Sequence, residues 1–405
     1  MNVTDISIMI PSYNTLNYLL MAYRSLRKYY PNNEIFIFDD GSTDGSWEWC
    51  VEQKLIDDNL RVWHREDGGK VYGHTKTYNM GAKACKGPLY TIFHSDMIAH
   101  RNYLENMLKH WKPKTVVCAT RVEPDGIYPS GKEKILKPFG MEYFEFKDAE
   151  FSDFCEHEML DRANQTTRGI FAPWLISKED YLATGGMHEN FYSPYPEEDG
   201  DWFLRLAIGG YNLVQSRDAL VWHWISRGHR SWAQNGVGKD GPDFQFYQLR
   251  ARRNYLRKWG RWMKFDEYHH PITQKVYDVG FILRDVTTTA FLNMVEPWAT
   301  GAIYVDNWEV GKQYIGEEQP TTNVDLSRRI FEAQFAEPFQ PQHDAILEFS
   351  EKDFVQNGQE SMTVLNSLNE MLGQVENNGT YEYGIFKLTS GVVIDHAQEL
   401  VVVKN

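Results

Sequence analysis

Four cysteines in 405 residues (Cys50, Cys85, Cys118 and Cys155) are too few and too scattered for a disulfide framework, and no C-x-x-C pair suggests zinc. Reduced thiols in a cytosolic compartment are expected. Long hydrophobic runs are also missing. No segment has the length of a membrane span or the flanks of a signal peptide, so any work at a membrane is expected to be peripheral. Basic charge is in deficit, with 42 Lys and Arg against 56 Asp and Glu and a net charge of −14. That excludes a chain that coats nucleic acid over its whole surface, while leaving room for a local basic face. No G-x-G-x-x-G follows the first apolar run, which argues against a dinucleotide-dependent enzyme. Internal repeats and low-complexity tracts are absent.

What is present is the composition of a globular protein, 42% hydrophobic and 24% charged, in a chain long enough for two domains. Ile6 to Ile10, stopped by Pro11, and Glu34 to Phe38, stopped by Asp39-Asp40-Gly41, read as buried parallel strands. Between them Leu16, Leu19, Leu20, Tyr23 and Leu26 recur at helical spacing. Apolar runs at 61–64, 89–94 and 115–120 then alternate with helical stretches at 75–86 and 102–111. The pattern specifies an α/β sheet with ligands at the carboxyl ends of its strands. Residues 139–168, acidic, aromatic and without period, read as an insertion or flap. The pattern restarts near Pro271, where 345–349, 361–375 and 383–388 read strand, helix, strand. The expected division is residues 1–270 and a smaller α/β or α+β domain, 271–405, for acceptor recognition or oligomerisation.

Chemistry gathers at the strand ends. Pro11-Ser12-Tyr13-Asn14 and Asp39-Asp40-Gly41-Ser42-Thr43-Asp44 could accept the imide N–H and ribose hydroxyls of a nucleotide, although the same residues are ordinary turn formers. His94-Ser95-Asp96 offers a carboxylate for a divalent cation, or a helix cap. Glu197-Glu198-Asp199-Gly200-Asp201 clusters carboxylates that raise one another's proton affinity and could supply a general base, or that complement a helix dipole. His223, closing a further strand, could be a metal ligand, and Arg227 and Arg230 behind it could clamp a diphosphate.

Together these motifs resemble the family 2 glycosyltransferases, from about Ile6 to Gly260. Pro11 to Asn14 and Asp39 to Asp44 match the family's opening motifs. Gly69 and Tyr78-Asn79-Met80-Gly81 resemble the stretch before its metal-binding strand. Gly185 to Phe191 resembles its Gly-Gly-Phe-Asp-Glu-x-Phe segment, Glu198-Asp199 its Glu-Asp motif, and Asn254 to Gly260 its closing segment. The resemblance implies a GT-A fold, a Rossmann-like mixed sheet flanked by helices. It also implies inverting transfer from a nucleotide sugar, UDP by default, with Asp199 as base beside Glu198. Donor contacts would come from Pro11, Tyr13, Asn14, Asp39, Asp40, Asn79 and Ser95. Manganese or magnesium would sit on Asp96 and His223, and Trp174, Arg227 and Arg230 would contact diphosphate or acceptor. One departure stands out: His94 occupies the first place of the family's Asp-x-Asp.

The acceptor is left open among a glycan, a lipid-linked saccharide and modified, hydroxymethylated DNA. The last arises because nine cationic residues between Arg217 and Lys264, among them Arg250, Arg252, Arg253, Arg257 and Lys258, are interleaved with tryptophans. Arginines covering aromatic helical faces would give the same pattern. A non-catalytic module that binds glycans or nucleotide sugars is the alternative outside enzymes, favoured only by His94.

Overall fold

In the computed structural model, residues 1–68, 70–333 and 343–401 are described; Gly69, matched to a family element above, lies outside them. Ten strands form the first sheet: β1 (Ile6–Ser12), β2 (Ile35–Asp39), β3 (Leu60–His64), β4 (Leu89–Ile92), β5 (Met97–Ala99), β6 (Thr115–Glu123), β7 (Lys134–Leu136), β8 (Thr166–Thr167), β9 (Trp174–Ser177) and β10 (Asn212–His223). Their order is β3-β2-β1-β4-β9-β6-β10-β5, with β7 on β6 and β8 on β10. The β1–β4 half is parallel; β9 enters antiparallel between β4 and β6 and makes the sheet mixed. The Leu16–Tyr29 helix buries Leu19, Ala22, Tyr23 and Leu26 on one face of the sheet, the stripe that its spacing anticipates. The opposite face is covered by an aromatic cluster that includes Trp174, Tyr181 and Trp202.

Three expectations are corrected. Strand β1 does not stop at Pro11 but runs through it, paired with Phe38. By Pro11 the β4 ladder has ended at Met9, so the missing N–H interrupts no bond on that side. The 139–168 stretch is not merely an irregular flap, since it contains a regular helix, Asp148–Asp161, that buries Phe151, Cys155 and Met159 against Trp222. Residues 383–388 are not one strand but straddle a hairpin, with Gly384 at φ +59° in the turn between β15 (Thr380–Tyr383) and β16 (Phe386–Ser390).

That hairpin belongs to a second sheet, with β11 (Val279–Arg284), β12 (Ile303–Val305), β13 (Ile330–Glu332) and β14 (Ala345–Ser350), ordered β13-β12-β11-β14-β16-β15. It has its own core around Phe281, Leu283, Phe291, Leu347 and Phe349. The Phe244–Trp259 helix joins the two sheets. Its Arg257 pairs with Glu296 (2.6 Å) and Glu318 (2.6 Å), while its Lys258 reaches Asp201 (2.6 Å) under the first sheet. All four cysteines are buried and unpaired, and no helix among the described residues is long and apolar enough to cross a membrane.

Candidate functional site

The carboxyl ends of β1, β2, β4, β6 and β10 open into one cavity of about 640 Å³. Pro11, Tyr13, Asp40, Ser95, Asp96, Trp174, Glu198, Asp199 and His223 all line it. Trp174 does so from a fully buried position, packed on Trp202 with ring centroids 4.6 Å apart.

Strand register builds the candidate metal centre. The three-residue β5 follows Asp96 at once and pairs antiparallel with the end of β10, setting His223 opposite Met97. Trp224 N–H then donates to the Asp96 carbonyl at 3.0 Å. The pairing of Trp222 with Val122 brings Glu123 beside His223. As a result His223 Nε2 lies 3.6 Å from Asp96 and Nδ1 lies 3.1 Å from Glu123. His94 completes the group: one ligand atom from each of His94, Asp96 and His223 lies within 4.8 Å of the others. Two imidazoles and a carboxylate suit a first-row divalent ion, with Glu123 orienting His223 from behind. Burial, then the neighbouring His74 and His223, push the His94 imidazolium well below its ordinary pKa, so the ring presents a neutral lone pair. Burial alone would raise the Glu123 carboxyl, but Arg121, His223 and Lys134 outweigh it and hold it down to about 2.

The carboxylates of the Glu198–Ile208 helix divide. Asp199 is half-buried at the cavity wall, and its carboxylate accepts from the Gly200 N–H (2.7 Å). Burial and then the charge of Glu198 push its carboxyl up to about 7. Glu198 Oε1 lies 3.3 Å from His74, while its Oε2 is buried without a partner. Asp201, expected to tune Asp199, faces away. It accepts from Lys258 (2.6 Å), Trp259 (2.8 Å), Arg205 (2.8 Å) and Tyr192 (3.0 Å).

Five expected site residues lie off the cavity lining. Asp39 is fully buried, with its oxygens taken by Ser42 and by His64 at 2.5 Å. Asn14 clamps the neighbouring loop: its backbone N–H donates to Ser42 Oγ at 2.8 Å and its Oδ1 accepts from the Thr43 N–H at 2.7 Å. Asn79 spends its amide on Met187, Glu189 and Tyr181, pinning the Gly185 to Phe191 segment. The Arg227 guanidinium is enclosed by Tyr18, Ile225 and Met141, and only its backbone N–H serves the site, donating to Asp96 at 3.0 Å. Arg230 forks onto Asp240, with both contacts at 2.7 Å, and holds Tyr128. Asp40 does line the cavity, but it accepts from Arg65 (2.9 Å) and from the Tyr72 and Gly73 amides (3.0 and 2.8 Å), fixing the loop that faces Tyr13.

Sequence reasoning assigned no role to His74, His229, Arg121 or Glu123. His74 stacks on His94 (5.3 Å) and meets His229 edge-on (4.9 Å), and with His223 and His269 five imidazoles line the cavity. Glu123 had a detectable signal, since it ends a strand that runs three residues beyond the apolar run. His74 had none.

This is an α/β domain with a ligand cavity at its strand ends, the place where the fold's topology puts one. Residues 7–179 match the family described as glycosyl transferase family 2. The chain resembles that family over those 173 of its 405 residues. It is 38% identical over 110 residues to glycosyltransferase GlyG of Streptococcus pneumoniae, a match covering 27% of this chain and 36% of that protein. The chain thus matches only about a third of the length of that relative. A structure of GalNAc-T7 with UDP, GalNAc and Mn2+ aligns at TM-score 0.44 and 16% identity, over 62% of this chain and 47% of that one. The mannosyltransferase PcManGT from Pyrobaculum calidifontis, in complex with GDP-Man and Mn2+, aligns at TM-score 0.41 and 14% identity, over 63% and 64%.

Proposed function

We propose that the chain transfers a sugar from a nucleoside-diphosphate donor, UDP by default, to an acceptor hydroxyl with inversion, assisted by a divalent metal. The observation that carries this reading is a base and a metal-ligand group sharing one cavity: Asp199 poised near neutrality, and His94, Asp96 and His223 clustered. Manganese or magnesium on those three residues would neutralise the departing diphosphate. The nucleoside would lie between Tyr13 and the Val71–Gly73 loop that Asp40 fixes, with Ser95 beside the diphosphate. Asp199 takes the acceptor hydroxyl's proton as the new C–O bond forms and the bond to the diphosphate breaks on the opposite face. Glu198 keeps Asp199 basic enough to do so.

A saccharide acceptor is favoured over DNA by the fate of the basic segment. Arg252, Arg253, Arg257, Lys258 and Lys264 each pair with an acidic residue of this chain, so that segment offers little free charge to phosphates. The second sheet, tied on through those pairs, would then serve acceptor recognition. Nucleotide sugars screened for hydrolysis and calorimetric binding, with manganese and with chelator, test the reading. A donor that binds more tightly and turns over with the metal is expected. Equal UDP affinity under both conditions, with no turnover of any donor, would overturn it.

A further inference from the structure

A second recess, of about 320 Å³, is lined by Glu197, Arg252, Tyr255, Trp262 and Met263. It shares no lining residue with the main cavity, yet Glu197 sits in the chain between Pro196 and Glu198, which both line that cavity. The recess is built rather than incidental. Trp262 is 41% exposed and is held from behind by Trp298, edge-on at 5.6 Å. Glu197 accepts from Arg252 Nε at 3.3 Å, and its backbone is at φ +76°, a left-handed conformation unusual for a glutamate. The Tyr255 hydroxyl belongs to a residue only 1% exposed and has no hydrogen-bond partner. Met263 packs so tightly on Gly200 that a Cβ there would stand 2.1 Å from its sulfur, tying the recess to the helix that carries Asp199.

The lining selects the ligand. A simple anion would meet the Glu197 carboxylate and a simple cation the Arg252 guanidinium, while a purely apolar molecule would desolvate both for nothing. What suits a flat indole bordered by a carboxylate, a guanidinium and a phenol is a neutral polyhydroxylated ring. Its C–H face lies on Trp262, and its hydroxyls donate to Glu197 and accept from Arg252 and Tyr255. The volume is at the small end of ligand sites, roughly 300–1,000 Å³.

We propose that this recess is a saccharide site that holds a sugar unit of the acceptor glycan other than the one that reacts at Asp199. The proposal rests on the glycosyl-transfer reading and narrows its acceptor to an oligosaccharide or polysaccharide. The test applies the full chain, without donor or metal, to an immobilised panel of neutral, N-acetylated and uronic di- to hexasaccharides. UDP–manganese affinity is measured calorimetrically in the same preparations. The wild type should bind a neutral or N-acetylated subset. Trp262→Ala should lose that binding by about tenfold or more, Trp262→Phe should keep part of it, and Tyr255→Phe should weaken it. UDP–manganese affinity should stay unchanged throughout, which also reports folding. No signal from the wild type, or an identical pattern from Trp262→Ala, overturns the proposal. Trp262-dependent glycan binding without any UDP–manganese binding would leave the site standing and remove the transfer reading instead.

Discussion

Asp199 and Asp201 stand two residues apart on one helix, and the helical turn sends them to opposite sides. Asp199 looks into the cavity, where the charges around it are carboxylates and imidazoles, and burial pushes its carboxyl up to about 7. Asp201 looks into the joint between the sheets, where Lys258, Arg205 and His188 outweigh its burial and hold it well below the usual carboxylate range. The same division runs through the molecule. At the joint the buried carboxylates have opposite partners: Glu296 takes Arg257 at 2.6 Å and Arg329 at 2.8 Å, and Glu318 takes Arg253 at 2.9 Å. At the cavity Glu198 keeps a buried oxygen without a partner, and His94, Asp96 and His223 face one another. Buried charges that are paired hold parts together. Those left short of partners are held ready for a ligand or a proton.

Breaking that contrast from the cavity side should have the largest effect. Asp199→Asn is expected to lower sugar transfer by roughly two to four orders of magnitude while donor affinity stays near wild type, measured as turnover and calorimetric binding in one preparation. The same variant should be no less stable than wild type. A carboxyl whose folded pKa is raised loses stability as pH climbs from its unfolded value to about 7, and the amide escapes that loss. From the joint side, Asp201→Asn leaves Lys258 and Arg205 buried without their counter-ion and should destabilise the fold by about 3–5 kcal/mol in denaturant unfolding. Because the Asp201 pKa is lowered, its stabilisation is present above its unfolded pKa and lost as pH falls, so the gap to wild type should close in acid.

Smaller effects sharpen the comparison. Glu123→Gln keeps the shape beside His223 but weakens the grip on its Nδ1 proton. Manganese affinity, read by calorimetry, should fall by about 10- to 100-fold with little change in melting temperature. The smallest effect expected is on DNA. A chain whose basic segment is spent on internal pairs should show no salt-sensitive retention of duplex DNA, whereas retention at low salt that vanishes as salt rises would restore DNA as an acceptor.

The strand-end residues were legible because an apolar run that stops at acids and glycines announces both the strand and its ligand end. Tyr13, Asp40, Asp96 and His223 reached the cavity from strand ends, and Asp199 from a carboxylate cluster at a helix start whose role the family resemblance supplied. What could not be read was direction. A carboxylate cluster in sequence becomes two unrelated sites once it is wound into a helix, and nothing local says that Arg227 is wrapped by Tyr18 and Met141. Glu123 escaped because Arg121 and Glu123 break the apolar run that marks the strand. His74 escaped because only tertiary packing brings it to His94. The His94 departure, which alone favoured a non-catalytic module, lies with Asp96 and His223 in a group that could hold a metal ion.

The most direct measurement of the central claim is the acid limb of the pH–rate profile for transfer, in wild type and in Glu198→Gln. If Asp199 is a base kept near neutrality by burial and by the charge of Glu198, kcat/KM should rise with pH through a midpoint near 7 and then level off. Removing the Glu198 charge should move that midpoint toward lower pH. A wild-type midpoint in the ordinary carboxylate range, or one that Glu198→Gln leaves in place, would contradict the account.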